Sequence, residues 1–270
     1  MSESNLPRVG IVGCGAIGSH VARAIDCGEI KAVVSGLCDM DSAAVEKLSC
    51  SLKTAPASSS VEALIASSEI IIECAAGSAV AKLAELCAAR GVTLVVMSVG
   101  GLKPEHFALF ENSAAVLHIP SGAVAGVDGI LACAGGQISS ISLTTRKPPQ
   151  GLKGAAALDE MGVSLDGLTE PLVVFEGPPS EAIKKFPKNI NVSTTLALAS
   201  GAGDSMTVRI VADPTIDTNI HEVRLESPYV NLFVKLENRP SPDNPKTSAL
   251  AFMSAVAALK KLTSKVRIGT

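Results

Sequence analysis

The glycine-rich turn at residues 13–18, Gly-Cys-Gly-Ala-Ile-Gly, constrains the fold more than any other stretch of the chain. The apolar run 8–13 leads into it and predicts a strand, and residues 16–27 after it predict a helix. In such a unit, glycines permit the tight turn, close approach of a phosphate and close packing of helix on strand. The helix start adds N–H donors and a positive dipole end. The turn therefore predicts a dinucleotide site, with a ligand-free structural turn as the alternative; its predicted contacts are Gly13, Gly15, Ala16, Ile17 and Gly18.

Asp39 ends the next predicted strand, 30–38, roughly 20 residues beyond the turn. An acidic side chain at this place accepts a hydrogen bond from the adenosine ribose 2′-hydroxyl and repels a 2′-phosphate. Asp39 therefore predicts a preference for NAD. NADP remains possible if the carboxylate rotates away and a nearby cation such as Lys47 assists.

Strands and helices alternate up to about residue 119. Continuous apolar strands separated by helices indicate a parallel sheet covered on both faces, which is a Rossmann domain. Further strands are predicted at 69–74, 92–97 and 115–119, with a possible short one within 53–59, and helices at 42–49, 61–66, 78–90 and 104–111. Ligands bind at the carboxyl ends of such strands. Candidate cofactor contacts therefore also lie in loops 39–41, 98–102 and 74–78, the last with Ala75 and Ala76.

The pattern changes after Pro120. Period-two alternation at 137–146 predicts a strand with one covered face. Other strands are predicted at 172–176, 206–212, 220–226 and 230–237, helices at 127–134, 179–185 and 191–200, a proline-rich loop at 239–246 and a closing helix at 247–262. The predicted fold is α/β, in three parts: a Rossmann domain at 1–120, an α+β substrate and dimerisation domain with a mainly antiparallel sheet at 121–245, and a C-terminal helix at 246–270 that packs on the Rossmann domain.

Composition narrows the possible partners. A net charge of −3 gives no basic field, so nucleic acid is not an expected partner. The apolar stretches are too short or too interrupted to span a membrane, and the first residues lack the features of a signal peptide. Seven cysteines without a Cys-x-x-Cys pair indicate a reducing compartment, so we expect a cytoplasmic location. Cysteine and histidine do not pair at ligand spacing, and no metal site is expected.

Three polar clusters in the second domain are candidates for chemistry. Asn189 and Asn191 precede an apolar helix; side-chain amides can bind a carboxamide, although Asn191 is also well placed as a helix N-cap. His221 begins a predicted strand beside Asn219, and imidazole is suited to proton transfer near neutral pH. The cations Arg146 and Lys147 end another strand and are suited to carboxylates, unless they form an ordinary solvated strand end.

The other three histidines have a simpler interpretation. His20 is predicted on the first helix, His106 on an exposed helix face and His118 on a buried strand. Solvation or ordinary packing accounts for all three.

Several segments together resemble the L-aspartate dehydrogenase family. They follow one another through nearly the whole chain: Gly13–Gly18, Pro120–Ala123, Thr145–Pro149, Phe175–Gly177, Phe186–Val192, Asp213-Pro214 and Asn219–Glu222. The resemblance implies a Rossmann domain joined to an α+β domain, and oxidation of L-aspartate with NAD or NADP to iminoaspartate, which hydrolyses to oxaloacetate and ammonia. It also implies a homodimer and, in some organisms, supply of the imine to NAD biosynthesis.

The resemblance places the family's catalytic histidine on His221 and further cofactor contacts on Ala123 and Asn189. Substrate contacts are then expected at Arg146, Lys147 and Asn219, because aspartate carries two carboxylates. Two other interpretations stay open. One is a different enzyme of the same architecture, of the dihydrodipicolinate reductase or homoserine dehydrogenase type. The other is a non-catalytic NAD(H) sensor, which has no need of polar residues at 217–221.

Overall fold

The computed structural model describes residues 6–186, 190–241 and 244–270. The chain divides into two units: the first runs to Gly122 and includes Ala251–Ile268, and the second comprises Ala123–Leu250 with Gly269–Thr270. Each unit is built on its own five-stranded sheet. Among the described residues, no helix combines the length and apolarity needed to cross a membrane.

A parallel sheet forms the centre of the first unit. Its strands are β1 (Arg8–Val12), β2 (Val33–Cys38), β3 (Ile70–Glu73), β4 (Thr93–Val96) and β5 (Leu117–His118). They lie in the order β2-β1-β3-β4-β5, and every neighbouring pair is parallel. The chain moves from β1 to β2 on one side and returns to β3 on the other, so the topological switch point lies between β1 and β3. Residues 53–59 contribute a single bridge, between Leu37 and Ser58, rather than a strand.

Helices cover both faces of this sheet. They are α1 (Ala16–Asp26), α2 (Ser42–Cys50), α3 (Val61–Ala66), α4 (Gly77–Arg90) and α5 (Pro104–Glu111). One core cluster joins Ile11 and Val21 to Ala255 and Leu259, which belong to the last helix, α11 (Ala249–Thr263). The predicted return of the C-terminal helix to the Rossmann domain is therefore confirmed. The other face has a separate core of apolar residues from β3, β4 and α4.

The second sheet is mixed. Its strands are β6 (Ser140–Lys147), β7 (Leu172–Gly177), β8 (Thr207–Ala212), β9 (Asn219–Glu226) and β10 (Asn231–Asn238). They lie in the order β10-β9-β6-β8-β7, with only β6 and β8 parallel, so the sheet is mainly antiparallel as predicted. Its core also includes residues from five helices: α6 (Val127–Ala134), α7 (Pro149–Leu152), α8 (Ala156–Glu160), α9 (Pro179–Lys185) and α10 (Ile190–Ser200).

Three local predictions are wrong. Residues 239–246 are not simply a loop, because β11 (Pro240–Ser241) pairs with β12 (Asn244–Ser248); an edge ribbon tolerates proline. Helix α10 begins at Ile190, so Asn191 lies in its first turn instead of capping it. His106 is buried rather than exposed. It lies in the first turn of α5, where its Nδ1 accepts a hydrogen bond from the Lys103 backbone N–H, 3.1 Å away.

The contact between α1 and β1 gives a stability test. A Cβ at Gly18 would overlap the carbonyl oxygen of Gly13, whereas a Cβ at Gly15 meets no atom within 4 Å. We expect Gly18→Ala to lower the free energy of unfolding by about 1–3 kcal/mol, despite the better helix propensity of alanine. Gly15→Ala is the matched control and should change it by less than about 1 kcal/mol. Equal urea midpoints for the two variants would contradict the steric argument.

Candidate active site

The glycine turn leaves open space at the start of α1. Gly13 has a φ of +97°, a conformation that favours glycine, and its N–H donates to the Cys38 carbonyl at 2.8 Å. The position of a Cβ on Gly15 is unobstructed to at least 4 Å. No acidic side chain occupies the first turn of α1. Free space, helix N–H groups and the absence of acidic residues from the first turn of α1 fit the pyrophosphate of a dinucleotide.

Asp39 is fixed at the end of β2. Its Oδ2 accepts a hydrogen bond from the Cys14 backbone N–H at 2.6 Å, and its Oδ1 accepts one from the Asp41 N–H at 3.0 Å. These two bonds orient the carboxylate relative to the glycine turn. Burial, followed by the charge of Asp39, raises the pKa of the Cys14 thiol to about 12, so this thiol is neutral at physiological pH. Since the Cys14 thiol is neutral, the negative charge next to the turn is that of Asp39, and a ribose bound there would contact its carboxylate.

Ala75 and Ala76 lie in the exposed loop between β3 and α4. The Ala75 N–H donates to Glu73 Oε1 at 2.8 Å, and Ala76 is the residue that directly precedes α4. Ala16 and Ile17 are the first two residues of α1. All the cofactor contacts predicted for the first domain therefore lie at the carboxyl edge of the parallel sheet, where ligands of this fold bind.

In the second unit, His221 is paired with Thr145. The two residues are directly opposite each other in the antiparallel pair β6–β9, so their side chains share one face of the sheet. Thr145 Oγ1 and His221 Nδ1 are 3.0 Å apart and hydrogen-bonded. Thr145 is 2% exposed and His221 7% exposed. The hydroxyl fixes the plane of the imidazole while leaving Nε2 for another partner.

Strand alternation brings three further residues to the same face. Lys147 lies two residues beyond Thr145 on β6, and Asn219 lies two residues before His221 on β9. Asn238 of β10 is paired with Asn219, and its Nδ2 donates to the Ala123 carbonyl at 2.9 Å. Predicted candidates that are far apart in the sequence thus gather at one end of this face.

Arg146 lies on the opposite face. Its Nη1 is 3.5 Å from Asp213 Oδ2, and its Nε is 3.9 Å from Glu222 Oε2. Burial alone raises the pKa of Asp213, but hydrogen bonds from Thr215 and the charge of Arg146 outweigh it, and the pKa lies below its ordinary value. The two adjacent cations of the sequence motif are therefore separated by the sheet: Lys147 is on the His221 face, whereas Arg146 is held by carboxylates. Asn189 lies outside the described residues.

Comparison with known proteins decides the family. A model described as the C-terminal part of aspartate dehydrogenase matches residues 128–262, and one described as the NAD binding domain of homoserine dehydrogenase matches residues 13–118. The L-aspartate dehydrogenase of Methanosarcina barkeri is 42% identical over 269 residues, which cover 97% of this chain and 99% of that protein. The corresponding protein of Methanosarcina mazei is 43% identical with the same coverage. The chain belongs to the aspartate dehydrogenase family.

Solved structures show how far the fold extends beyond this family. The aspartate dehydrogenase of Thermotoga maritima is 27% identical with a TM-score of 0.72, and the match covers 97% of this chain and 99% of that one. An amine dehydrogenase of Mycobacterium smegmatis is 14% identical with a TM-score of 0.57, over 96% of this chain and 92% of that one. The second likeness concerns the fold alone. The resemblance to the aspartate dehydrogenase family and the predicted fold class are confirmed.

Sequence reasoning missed Thr145, Asn238 and Glu73. Thr145 belongs to a segment that carries the family resemblance, but no local pattern predicts that it bonds a residue 76 positions away, or that Asn238 bonds one 115 positions away. Glu73 carries the one available signal, because an acidic residue ends the otherwise apolar strand β3. An acidic residue is unusual at the end of a buried strand, and the hydrogen bonds of the Glu73 carboxylate to neighbouring loops account for it.

The pKa of His221 makes stability depend on pH. Burial, and then the positive charge of Lys147, lowers the pKa from 6.5 to about 4. On acidification the unfolded chain binds a proton near pH 6.5, but folded His221 does so only near pH 4. The stability that neutral His221 contributes is therefore fully present above pH 6.5 and is lost as the pH falls to 4, by roughly 3 kcal/mol.

His221→Gln, which does not titrate in this range, is the comparison. The free energy of unfolding from urea titrations at pH 7, 6, 5 and 4 should fall more steeply in the parent protein than in this variant. His118, whose pKa is also lowered by burial, is present in both proteins and cancels. Parallel pH profiles would show that His221 is not held neutral by the fold.

Proposed function

We propose that this protein is an L-aspartate dehydrogenase that uses NAD. The reaction removes a hydride from Cα and a proton from the amine of L-aspartate, and water then converts iminoaspartate to oxaloacetate and ammonia. The observation that carries the proposal is the buried Thr145–His221 pair on a face that also presents Lys147 and Asn219, in a chain of the aspartate dehydrogenase family. A protein that only senses NAD(H) has no use for this arrangement.

Residues of the glycine turn and Asp39 are proposed to hold the adenosine and pyrophosphate parts of the cofactor. When bound, NAD supplies the hydride acceptor. The fixed Asp39 carboxylate favours a ribose 2′-hydroxyl, since both of its oxygens are already oriented by backbone N–H groups. Ala123 and Asn189 are proposed as further contacts on the strength of the family resemblance.

His221 is proposed to move the proton. A neutral imidazole can accept a proton from the substrate amine or from the water that attacks the imine. The Thr145 hydroxyl can either donate to Nδ1 or accept from it, so the hydrogen bond persists when His221 gains a proton. The two carboxylates of the substrate add negative charge near Lys147 and His221, which raises the pKa of the imidazole and makes it a better base.

Lys147 and Asn219 are the proposed substrate contacts. Both lie on the His221 face, and the charge of Lys147 is close enough to affect the titration of His221. Arg146 is less suited to this role because Asp213 and Glu222 engage its guanidinium on the other face.

The remaining expectations also stay proposals. They are reversibility, supply of the imine to NAD biosynthesis, a cytoplasmic location, a homodimer, and the division of roles among residues 1–120, 121–245 and 246–270.

Turnover of L-aspartate tests the function and the role of His221 together. Absorbance at 340 nm should rise with NAD and L-aspartate, and much less with L-glutamate or L-alanine. His221→Asn should lower kcat by about 10²–10⁴-fold, because proton transfer is lost, with the Kd of NADH unchanged. The control is Glu222→Gln, which alters the next residue of β9 on the opposite face.

Two results would count against this proposal. Tight NADH binding without turnover of any of these amino acids would favour the sensor. A kcat near that of the parent protein in His221→Asn would remove His221 from the mechanism while leaving the substrate open.

Asp39 gives a prediction about cofactor choice. The parent protein should bind NADP at least about tenfold more weakly than NAD, because two negative groups would face each other. Asp39→Ser should narrow that difference by weakening NAD and strengthening NADP. Asp41→Ser is a matched control, since it removes the same charge two residues away. Calorimetric Kd values of NAD and NADP for the three proteins test this prediction. Tighter binding of NADP than of NAD by the parent protein would contradict the role proposed for Asp39.

A further inference from the structure

Glu73 is a buried acidic residue whose carboxylate accepts four hydrogen bonds. It ends β3 and has no exposed surface. Its Oε1 accepts from the Ala75 N–H at 2.8 Å and from Ser98 Oγ at 2.9 Å. Its Oε2 accepts from the N–H groups of Ser98 at 2.8 Å and Met97 at 3.2 Å. One carboxylate therefore binds the loop that follows β3 and the loop that follows β4.

All four donors are neutral groups. Among the described residues, no lysine, arginine or histidine hydrogen-bonds to Glu73, so its charge is balanced by dipoles alone. Burial raises the pKa of Glu73, and the four hydrogen bonds oppose that effect. Three of the partners are N–H groups, which can only donate, and the Ser98 hydroxyl can donate as well, so the arrangement fits an ionised carboxylate, which accepts in four directions. Burying a charge in this way costs free energy, so its place in the fold calls for a reason.

The two loops also touch at a second point. Loop 74–78 contains Gly77, the first residue of α4, and loop 98–102 contains Gly101 at the end of a 3₁₀ turn, Val99–Gly101. A Cβ on Gly101 would lie 2.7 Å from the Gly77 Cα, so any larger residue there would force the loops apart. The Glu73 hydrogen bonds and this glycine contact together fix one loop against the other.

The position of these loops determines which part of a dinucleotide they meet. Asp39 ends β2 on one side of β1, and the turn at the start of α1 follows β1 itself. In this fold an extended dinucleotide crosses the switch point, so with its adenosine ribose at Asp39 and its pyrophosphate at α1, its other half runs towards the ends of β3 and β4. Those ends are the two loops that Glu73 joins.

We propose that Glu73 is a positioning residue that holds loops 74–78 and 98–102 as a preformed wall for the nicotinamide riboside half of the cofactor. The inference rests on the proposed use of a nicotinamide dinucleotide. Fixed loops lose little conformational freedom on binding, so this half of the ligand binds without first ordering the protein.

No other side chain of this size meets the same requirements. Glutamine keeps the shape but has one acceptor oxygen, and its NH₂ group would face N–H or O–H donors. Leucine or methionine would remove the acceptor of the Ala75 N–H and of both Ser98 donors, whereas the Met97 N–H would keep the backbone carbonyl of residue 73 at 3.2 Å. Ser98→Ala is a milder change, since it removes the hydroxyl bond and keeps the backbone N–H bond of Ser98.

Two ligands distinguish an effect of Glu73 on the nicotinamide riboside half of the site from an effect on the whole cofactor site. NADH contains the nicotinamide riboside half, whereas ADP lacks both the nicotinamide and its ribose and keeps the part expected at Asp39 and the glycine turn. In calorimetric titrations of the full-length protein, Glu73→Gln should raise the Kd of NADH about tenfold, and Ser98→Ala about threefold, with the Kd of ADP within about twofold of the parent value.

Glu69→Gln is the matched control. Glu69 directly precedes β3, so it stands at the opposite edge of the sheet, and its exposed carboxylate accepts the Arg8 N–H at 2.7 Å. This variant should bind both ligands as the parent protein does. Equal weakening of NADH and ADP binding by Glu73→Gln, or no weakening of either, would overturn the proposal.

If Glu73→Gln does not fold, Ser98→Ala tests the proposal by the same comparison of NADH with ADP. The test needs binding and no turnover. A protein without aspartate activity but with selective loss of NADH binding would refute the proposed reaction and support the role of Glu73. The reverse combination of results would do the opposite.

Discussion

The contact between Gly18 and the carbonyl of Gly13 is the constraint on which the first unit depends. It lets α1 approach β1 closely, and that approach sets the shape of the turn between them. The shape of the turn directs the Cys14 N–H towards Asp39, so the residue proposed to select the ribose is positioned by the same backbone that is proposed to bind the phosphates. The proposed phosphate site and the proposed determinant of cofactor choice therefore depend on one packing contact and are not two independent features.

In the second unit the corresponding constraint is the alternation of a β-strand. Arg146 and Lys147 are equivalent in the sequence motif, but consecutive residues of β6 point to opposite faces. The register with β9 places Thr145 opposite His221, and that single pairing assigns Lys147 to the histidine face and leaves Arg146 to bind Asp213 and Glu222. A shift of one residue would exchange the two cations and bury the wrong one beside the imidazole.

Features of the structure that depend on residues close together in the sequence could be predicted from the sequence. The glycine turn, the apolar strands, Asp39 and the closing helix all follow from residues within about one element of each other, and the structure has them where they are expected. The partners of His221 and Glu73 are set by strand register and by the meeting of two loops, and no periodicity encodes them. The ribbon β11–β12 was missed for a related reason, since proline content argues against a strand unless an edge is known to be available.

Glu73 and His221 are buried titratable residues whose hydrogen-bond partners are neutral groups. The partners differ in kind, and the difference fits the role proposed for each residue. Glu73 faces three backbone N–H groups, which can only donate, and the Ser98 hydroxyl, an arrangement that suits a carboxylate joining two loops. His221 faces a hydroxyl, which can donate or accept, so the ring can gain and lose a proton without losing its hydrogen bond. A carboxylate in place of Thr145 would raise the pKa of the imidazole and fix its proton on Nδ1. A hydroxyl partner is thus the choice that orients a histidine and still leaves its protonation free to respond to the substrate.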